Sequence, residues 1–338
     1  MKQGYPVNCI DPQLYSALNS QTYYTCYPPF LQAIFGISTW LAPHNIYANI
    51  VMLKTFILAA EIGSIIILVR LSAQWGFDRQ RVLLYVLNPI VIAELTGNLH
   101  YEGVMIFFLL ASIYCWQKNR IVLGALLFSI AIITKLVPLM LLPVVFFNFG
   151  KKKGFLICAG ILAVCIIGFL PFMDIAIVQK FWSSIDSYFQ ESEFNASIYY
   201  LVNAITYRFT SENMINIIGP ALTIISGVLI IVYSFVKSKR INVKTLSKYF
   251  TWILLIYYAF TTTVFPWYIT PMILFSVFTD YKFPLVWSAM IVLSYYADRN
   301  ALFEESKILL WIEYGVLGAC IGYDLYNEQK KKLNPVFI

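Results

Sequence analysis

Apolar runs recur along this chain from residue 46 to residue 323, too often for a water-soluble fold to bury them all. Hydrophobic residues make up 60% of the 338, and only 12% are charged, against about 25% in an ordinary soluble domain. A chain built this way uses lipid as its main solvent. That excludes a soluble globular enzyme and a disordered chain. The net charge of +7 does not mark a nucleic-acid binder, because Lys and Arg sit in short loops between apolar runs, as they do on the inner face of membrane proteins. Membrane lipids are expected partners and nucleic acid is not.

A spanning helix needs about 20 mostly apolar residues. The candidate runs are 46–71, 81–95 (broken at Asn88-Pro89), 103–116, 121–147 (interrupted at Thr134-Lys135 and Pro138), 155–172 and 215–236. They continue as 249–264 and 268–279 on either side of Pro266, then 284–297 and 308–323. The expected fold is all-α and polytopic, a single domain of about ten membrane segments including short and re-entrant helices. Within it, 1–45 forms an outer loop and interfacial helix, 46–172 the N-terminal helices, 173–214 an outer loop and 215–338 the C-terminal helices. All basic loops share one face only if 121–147 enters and returns as two half-helices, turning near Thr134-Lys135-Leu136. That face reads as cytoplasmic. On this topology 29–41 lies along the outer interface and does not span.

Some polar residues are too costly in lipid to be indifferent. Glu94, Asn98, His100 and Glu102 close one short run; Gly97-Asn98 alone reads as an ordinary turn, but Glu94 lies inside the apolar stretch. Lys135 either snorkels to an interface or meets an acid or an anion such as phosphate. Lys54 and Glu61 lie seven residues apart on one helix face; Glu61 reads as structural, and Lys54, nearer the outer end, faces the cavity. Trp267 and Tyr268 follow Pro266 and serve as an interfacial anchor or as a platform for a sugar or a lipid tail. Asn195-Ala196-Ser197 matches a glycosylation sequon within 192–200, a segment that reads as a lid. Two histidines exclude a multi-His metal site, and the six cysteines show no metal-ligand spacing. Cys9 and Cys26 share a polar stretch in which an oxidising compartment would allow a disulfide.

These motifs together resemble the GT-C superfamily of membrane glycosyltransferases. The nearest likeness is to bacterial mannosyltransferase-like proteins related to the enzyme that adds the first mannose of GPI anchors. The resemblance rests on Tyr27-Pro28-Pro29, Asn88-Pro89, the stretch Gly97-Asn98-Leu99-His100-Tyr101-Glu102, and Thr134-Lys135 with Pro138 and Pro143. It extends through Phe194-Asn195-Ala196-Ser197-Ile198-Tyr199-Tyr200 and Pro266-Trp267-Tyr268. It implies transfer of a hexose, mannose by the likeness, from a polyprenyl-phosphate donor. The acceptor would be a glycan or lipid-linked molecule on the periplasmic face of a bacterial inner membrane. Under it Glu102, with His100 beside it, is the candidate catalytic base. Lys135 and Lys54 would contact the donor phosphate. Tyr27, Glu94, Asn98, Asn195, Trp267 and Tyr268 would bind substrate. No cofactor is specified, although acids on the outer face leave room for a divalent cation. The superfamily pattern begins with a spanning helix and an acidic outer loop. This chain starts downstream of them, Asp11 does not match the acid, and a helix and acid are expected upstream. The other readings are a flippase or transporter of lipid-linked sugars, which calls for midplane charges and repeat symmetry, and a non-catalytic subunit of a glycan-synthesis complex.

Overall fold

A computed structural model describes residues 25–43, 45–172, 192–237, 243–299 and 303–333, with Ser16, Ser183 and positions 174–175 and 179–180. Cys9, Asp11, His44 and most of the loop read as 173–191 lie outside the described residues. The described residues build an all-α, polytopic membrane protein. Four helices are long and apolar enough to cross a membrane: α2 (Ile46–Trp75), α7 (Lys151–Phe169), α9 (Ile215–Lys237) and α13 (Lys307–Leu333). Val91–Gly97 and α4 (Glu102–Gln117) form a bent apolar pair and meet at 107°. The remaining helices fall below that length or that hydropathy. They are α1 (Pro29–Leu41), α3 (Leu83–Val86), α5 (Ile121–Thr134), α6 (Leu142–Phe149), α8 (Ile198–Thr210), α10 (Val243–Phe260), α11 (Thr270–Ser276) and α12 (Phe283–Met290).

Neighbouring contacts set the directions. Tyr101 donates to the carbonyl of Leu53 at 3.4 Å, Gly103 faces Ile57 and Glu61, and Gly63 faces the Phe107 ring. The order is the same on both helices, so α2 and α4 run parallel. Parallel neighbours need a return path, and the broken stretch from Arg79 to Gly97 supplies it. Asn88 interrupts that path: it precedes Pro89, its side chain accepts from Ile90 at 3.0 Å, and its amide donates to Ser288 at 2.8 Å.

The chain does turn at Lys135, as the polar pair and Pro138 predict. Lys135 is extended (φ −148°, ψ 138°), and a 3₁₀ turn over Val137–Leu141 leads into α6. Trp116 shows that the segment returns to its starting level. Its indole donates to the carbonyl of Ile121 at 3.3 Å, and its ring lies 5.3 Å from Phe149. Both ends of 121–149 therefore meet one side chain at the end of α4. Gly150 (φ 80°, ψ 159°) makes the turn into α7 in a region nearly closed to other residues.

The basic loops gather at one pole. Arg81 meets Asp280 at 3.2 Å, Lys331 meets Asp280 at 2.9 Å, and Lys248 and Lys332 meet Glu328 at 2.6 and 3.0 Å. Lys118, Arg120 and Lys151–Lys153 lie at the Trp116–Phe149 end of the hairpin, which α4 places on the same side.

Close packing at that hairpin gives a stability prediction. A Cβ on Gly124 would collide with the Trp116 indole and lie 3.1 Å from the carbonyl of Ser112. Trp116 has nowhere to move, stacked on Phe128 at 5.5 Å and hydrogen-bonded at its nitrogen. Gly124→Ala is expected to destabilise by about 1–3 kcal/mol. Gly160→Ala, at a helical glycine with nothing within 4 Å, should cause no loss. Melting curves in detergent compare the two.

Candidate active site at the pole opposite the basic loops

The site is assembled from two stretches far apart in sequence. The first is the turn between Val91–Gly97 and α4. Val91–Gly97 is wound as a π-helix, closed by Asn98 N–H to the carbonyl of Ala93 at 2.8 Å. Such wide turns cluster at functional positions because they displace a side chain from helical register. Here the displaced acid is Glu94, 1% exposed. Leu99 adopts φ 63°, a left-handed backbone that an ordinary L-residue takes only at a cost of about 1–2 kcal/mol. The winding brings Asn98 to Glu94 at 2.9 Å and His100 Nε2 to Glu94 Oε2 at 3.2 Å. Tyr295 also donates to Glu94.

Glu102 opens α4 and is 2% exposed, where the helix dipole favours a carboxylate. Lys135, at the hairpin tip, donates to its Oε1. Glu102 Oε2 has no hydrogen-bond partner among the described residues. The Lys135 ammonium also lies 5.7 Å from the centre of the Tyr268 ring. Base and phosphate ligand, read as separate roles from the sequence, are thus one ion pair. Lys54 reaches the same loop and donates to the carbonyl of Gly97 at 3.1 Å, which holds the loop. Glu61 accepts from Tyr85 at 3.0 Å, in keeping with its structural reading.

Tyr27 closes the site from the side of α1, ringed edge-on by Phe35 at 5.6 Å, which in turn meets Tyr101 at 5.5 Å. Its phenol is pushed up chiefly by burial, with the neighbouring Cys26 and Glu102 adding to the effect.

The second stretch contributes a ladder of rings. His100 stacks on Trp267 at 3.7 Å, Trp267 on Phe265 at 4.5 Å, and Phe265 on Phe194 at 5.0 Å. Both faces of Trp267 are therefore covered. Of the alternatives open in sequence, a platform that offers its face to a sugar would need one of these faces uncovered, and the stack as it stands fixes the His100 plane. Phe194 is pinned to the segment before the ladder by Phe194 N–H to the carbonyl of Thr262 at 3.1 Å and Val264 N–H to the carbonyl of Phe194 at 2.9 Å.

Asn195 belongs to a neighbouring set of acids. Its amide donates to Glu313 at 3.0 Å, and its backbone N–H donates to Glu305 at 2.6 Å. Trp287 donates to Glu313 at 2.9 Å, and Tyr314 and Tyr200 donate to the carbonyl of Asn195 and to Glu305. Burial raises the Glu305 carboxyl, the largest influence on it. Asn195 is 1% exposed, so the sequon marks a structural anchor and not a surface acceptor. Tyr295, Glu313 and Glu305 were not singled out in sequence. Glu313 carried a signal, an acid inside the apolar run 308–323; Tyr295 carried none, since its partner lies 201 residues away. Among the described residues no three His, Cys, Asp or Glu side chains converge as a metal-ligand set.

Fold and site together define a helical membrane protein with a buried acid–base cluster at one pole. Residues 20–150 match a family described as alpha-(1->6)-mannopyranosyltransferase, N-terminal domain. The resemblance to GT-C-type mannosyltransferases is borne out by this match, which supports a mannosyl-transferring membrane glycosyltransferase. Tyr27, Lys54, Glu94, Asn98, His100, Glu102 and Lys135 all fall in the matched stretch; Asn195, Trp267 and Tyr268 lie beyond it. No curated protein matches the chain.

Proposed function

We propose that the protein transfers mannose from a polyprenyl-phosphate donor to a hydroxyl of a glycan or lipid-linked acceptor. On this reading the basic pole faces the cytoplasm and the site opens to the periplasmic side of a bacterial inner membrane, in line with the positive-inside rule. The observation that carries the reading is Glu102, a buried carboxylate with one oxygen held by Lys135 and the other unpartnered among the described residues. The acceptor hydroxyl gives its proton to Glu102 Oε2 as its oxygen bonds to the anomeric carbon. The bond from that carbon to the phosphate oxygen breaks, and polyprenyl phosphate leaves with the electron pair. Glu102 becomes neutral in the same step, which frees Lys135 to pair with the new phosphate charge. Glu94 and Trp267 hold His100 at the rim, and Tyr27, Asn98 and Tyr268 line the remaining walls.

Vesicles holding the purified protein test this reading when supplied with labelled polyprenyl-phosphate mannose or, separately, a mannose nucleotide. Product is expected from the lipid donor alone. Transfer from the nucleotide without lipid donor would overturn the proposal. Trp267→Ala frees His100 from a stack worth about 0.5–1.5 kcal/mol and should lower turnover. Trp267→Phe, which keeps the stack, should retain most activity in the same assay.

A further inference from the structure

A cavity lies at the basic pole, far from Glu102. Its volume is about 940 Å³, within the usual range for ligand sites. Five cations and three acids line it. Every acid is already occupied. Asp280 is held by Arg81 and Lys331, and Glu328 by Lys248 and Lys332. Asp324 accepts the backbone N–H groups of Lys282 and Phe283 at 2.7 and 2.9 Å, which caps α12. The Lys331 and Arg81 contacts draw the Asp280 carboxyl below its ordinary range, the Lys331 hydrogen bond foremost. Lys282, over the Tyr323 ring at 5.2 Å, and Lys330 meet no acid among the described residues.

Arg81 Nε and Thr279 Oγ1 are unpartnered among the described residues but have almost no accessible surface, so they lie behind the wall and do not face the cavity. Phe77, Leu84, Phe278 and Leu285 form apolar walls beside the cations. Two positive charges in excess, with Lys282 and Lys330 free of acids among the described residues, beside apolar walls fit a phosphate ester.

We propose that this cavity binds a phosphate head group, with Lys282 and Lys330 as its ligands. The apolar walls suit the glycerol and first chain carbons of an anionic bilayer lipid; soluble phosphate offers the same head group without the tail.

Binding is measured on the full chain in neutral detergent with dioctanoyl phosphatidic acid, dioctanoyl phosphatidylcholine and inorganic phosphate as probes. Phosphatidic acid is expected to bind at least about tenfold tighter than phosphatidylcholine, the discrimination of one charge-assisted hydrogen bond. If the lipid is the ligand, inorganic phosphate competes only weakly; equal competition assigns the site to soluble phosphate and still supports the head-group chemistry. Lys282→Gln with Lys330→Gln should weaken binding about tenfold or more. Lys118→Gln with Arg120→Gln removes the same charge elsewhere on the pole and should leave binding unchanged. Equal affinity for the two lipids with no phosphate binding would overturn the proposal, as would an equal loss in the Lys118/Arg120 control.

Discussion

Glu102→Gln is expected to lower mannosyl transfer by about 10²–10⁴-fold, the range for loss of a general base. The substitution keeps the size and an oxygen that accepts from Lys135, so the hairpin tip should stay in place and melting should change little. What vanishes is the proposed proton acceptor, since an amide cannot take the acceptor's proton at neutral pH. The loss should fall on kcat with KM almost unchanged, because the ground-state walls are intact. Transfer at the parental rate by a normally folded Glu102→Gln protein would remove Glu102 from the mechanism. His100→Gln gives a useful contrast. It leaves Glu102 alone and should cost less than the Glu102 change.

Lys135→Met should be the most disruptive change for the fold. It strands a carboxylate that is 2% exposed. Removing one partner of a buried pair costs about 3–5 kcal/mol, far more than the intact pair contributes. The single variant should melt early and lose activity. Adding Glu102→Gln to it removes the stranded charge and should restore most of the stability, yet leave the enzyme inactive. Melting curves of the two single variants and the double read this directly. A double variant that melts as early as Lys135→Met alone would show that Lys135 acts through something other than Glu102.

Much of this architecture could be read before any coordinates. The break at Lys135 was legible because Thr134-Lys135 and Pro138 interrupt an apolar run, and backbone in lipid must either stay helical or find protein partners. The polar turn from Glu94 to Glu102 was legible for the same reason of cost. Pairing was not legible. Nothing in spacing joins Lys135 to Glu102, 33 residues away, or Tyr295 to Glu94. Those contacts depend on α2 and α4 running parallel, which follows from the irregular return path through Asn88-Pro89 and not from any periodicity. Trp267 reads in sequence as an interfacial anchor or a ring platform, but its geometry hinges on Phe265, backed by Phe194, covering one face and His100 the other. Asn195 was flagged for its sequon, and only packing shows that Glu313 and Glu305 hold it.

The hairpin tipped by Lys135 imposes an order on biogenesis. Neither arm is long enough to be handed to the bilayer alone, with 14 residues in α5 and 8 in α6, so the two must enter together and shelter between α4 and α7. Lys135 carries its charge to the far pole on arrival, and Glu102 is already made when it does. The ladder, however, waits for Phe265 and Trp267, and Tyr295 comes later still. A nascent chain would therefore neutralise its costliest pair early and complete the His100 wall only after Trp267 and Tyr295 have been made.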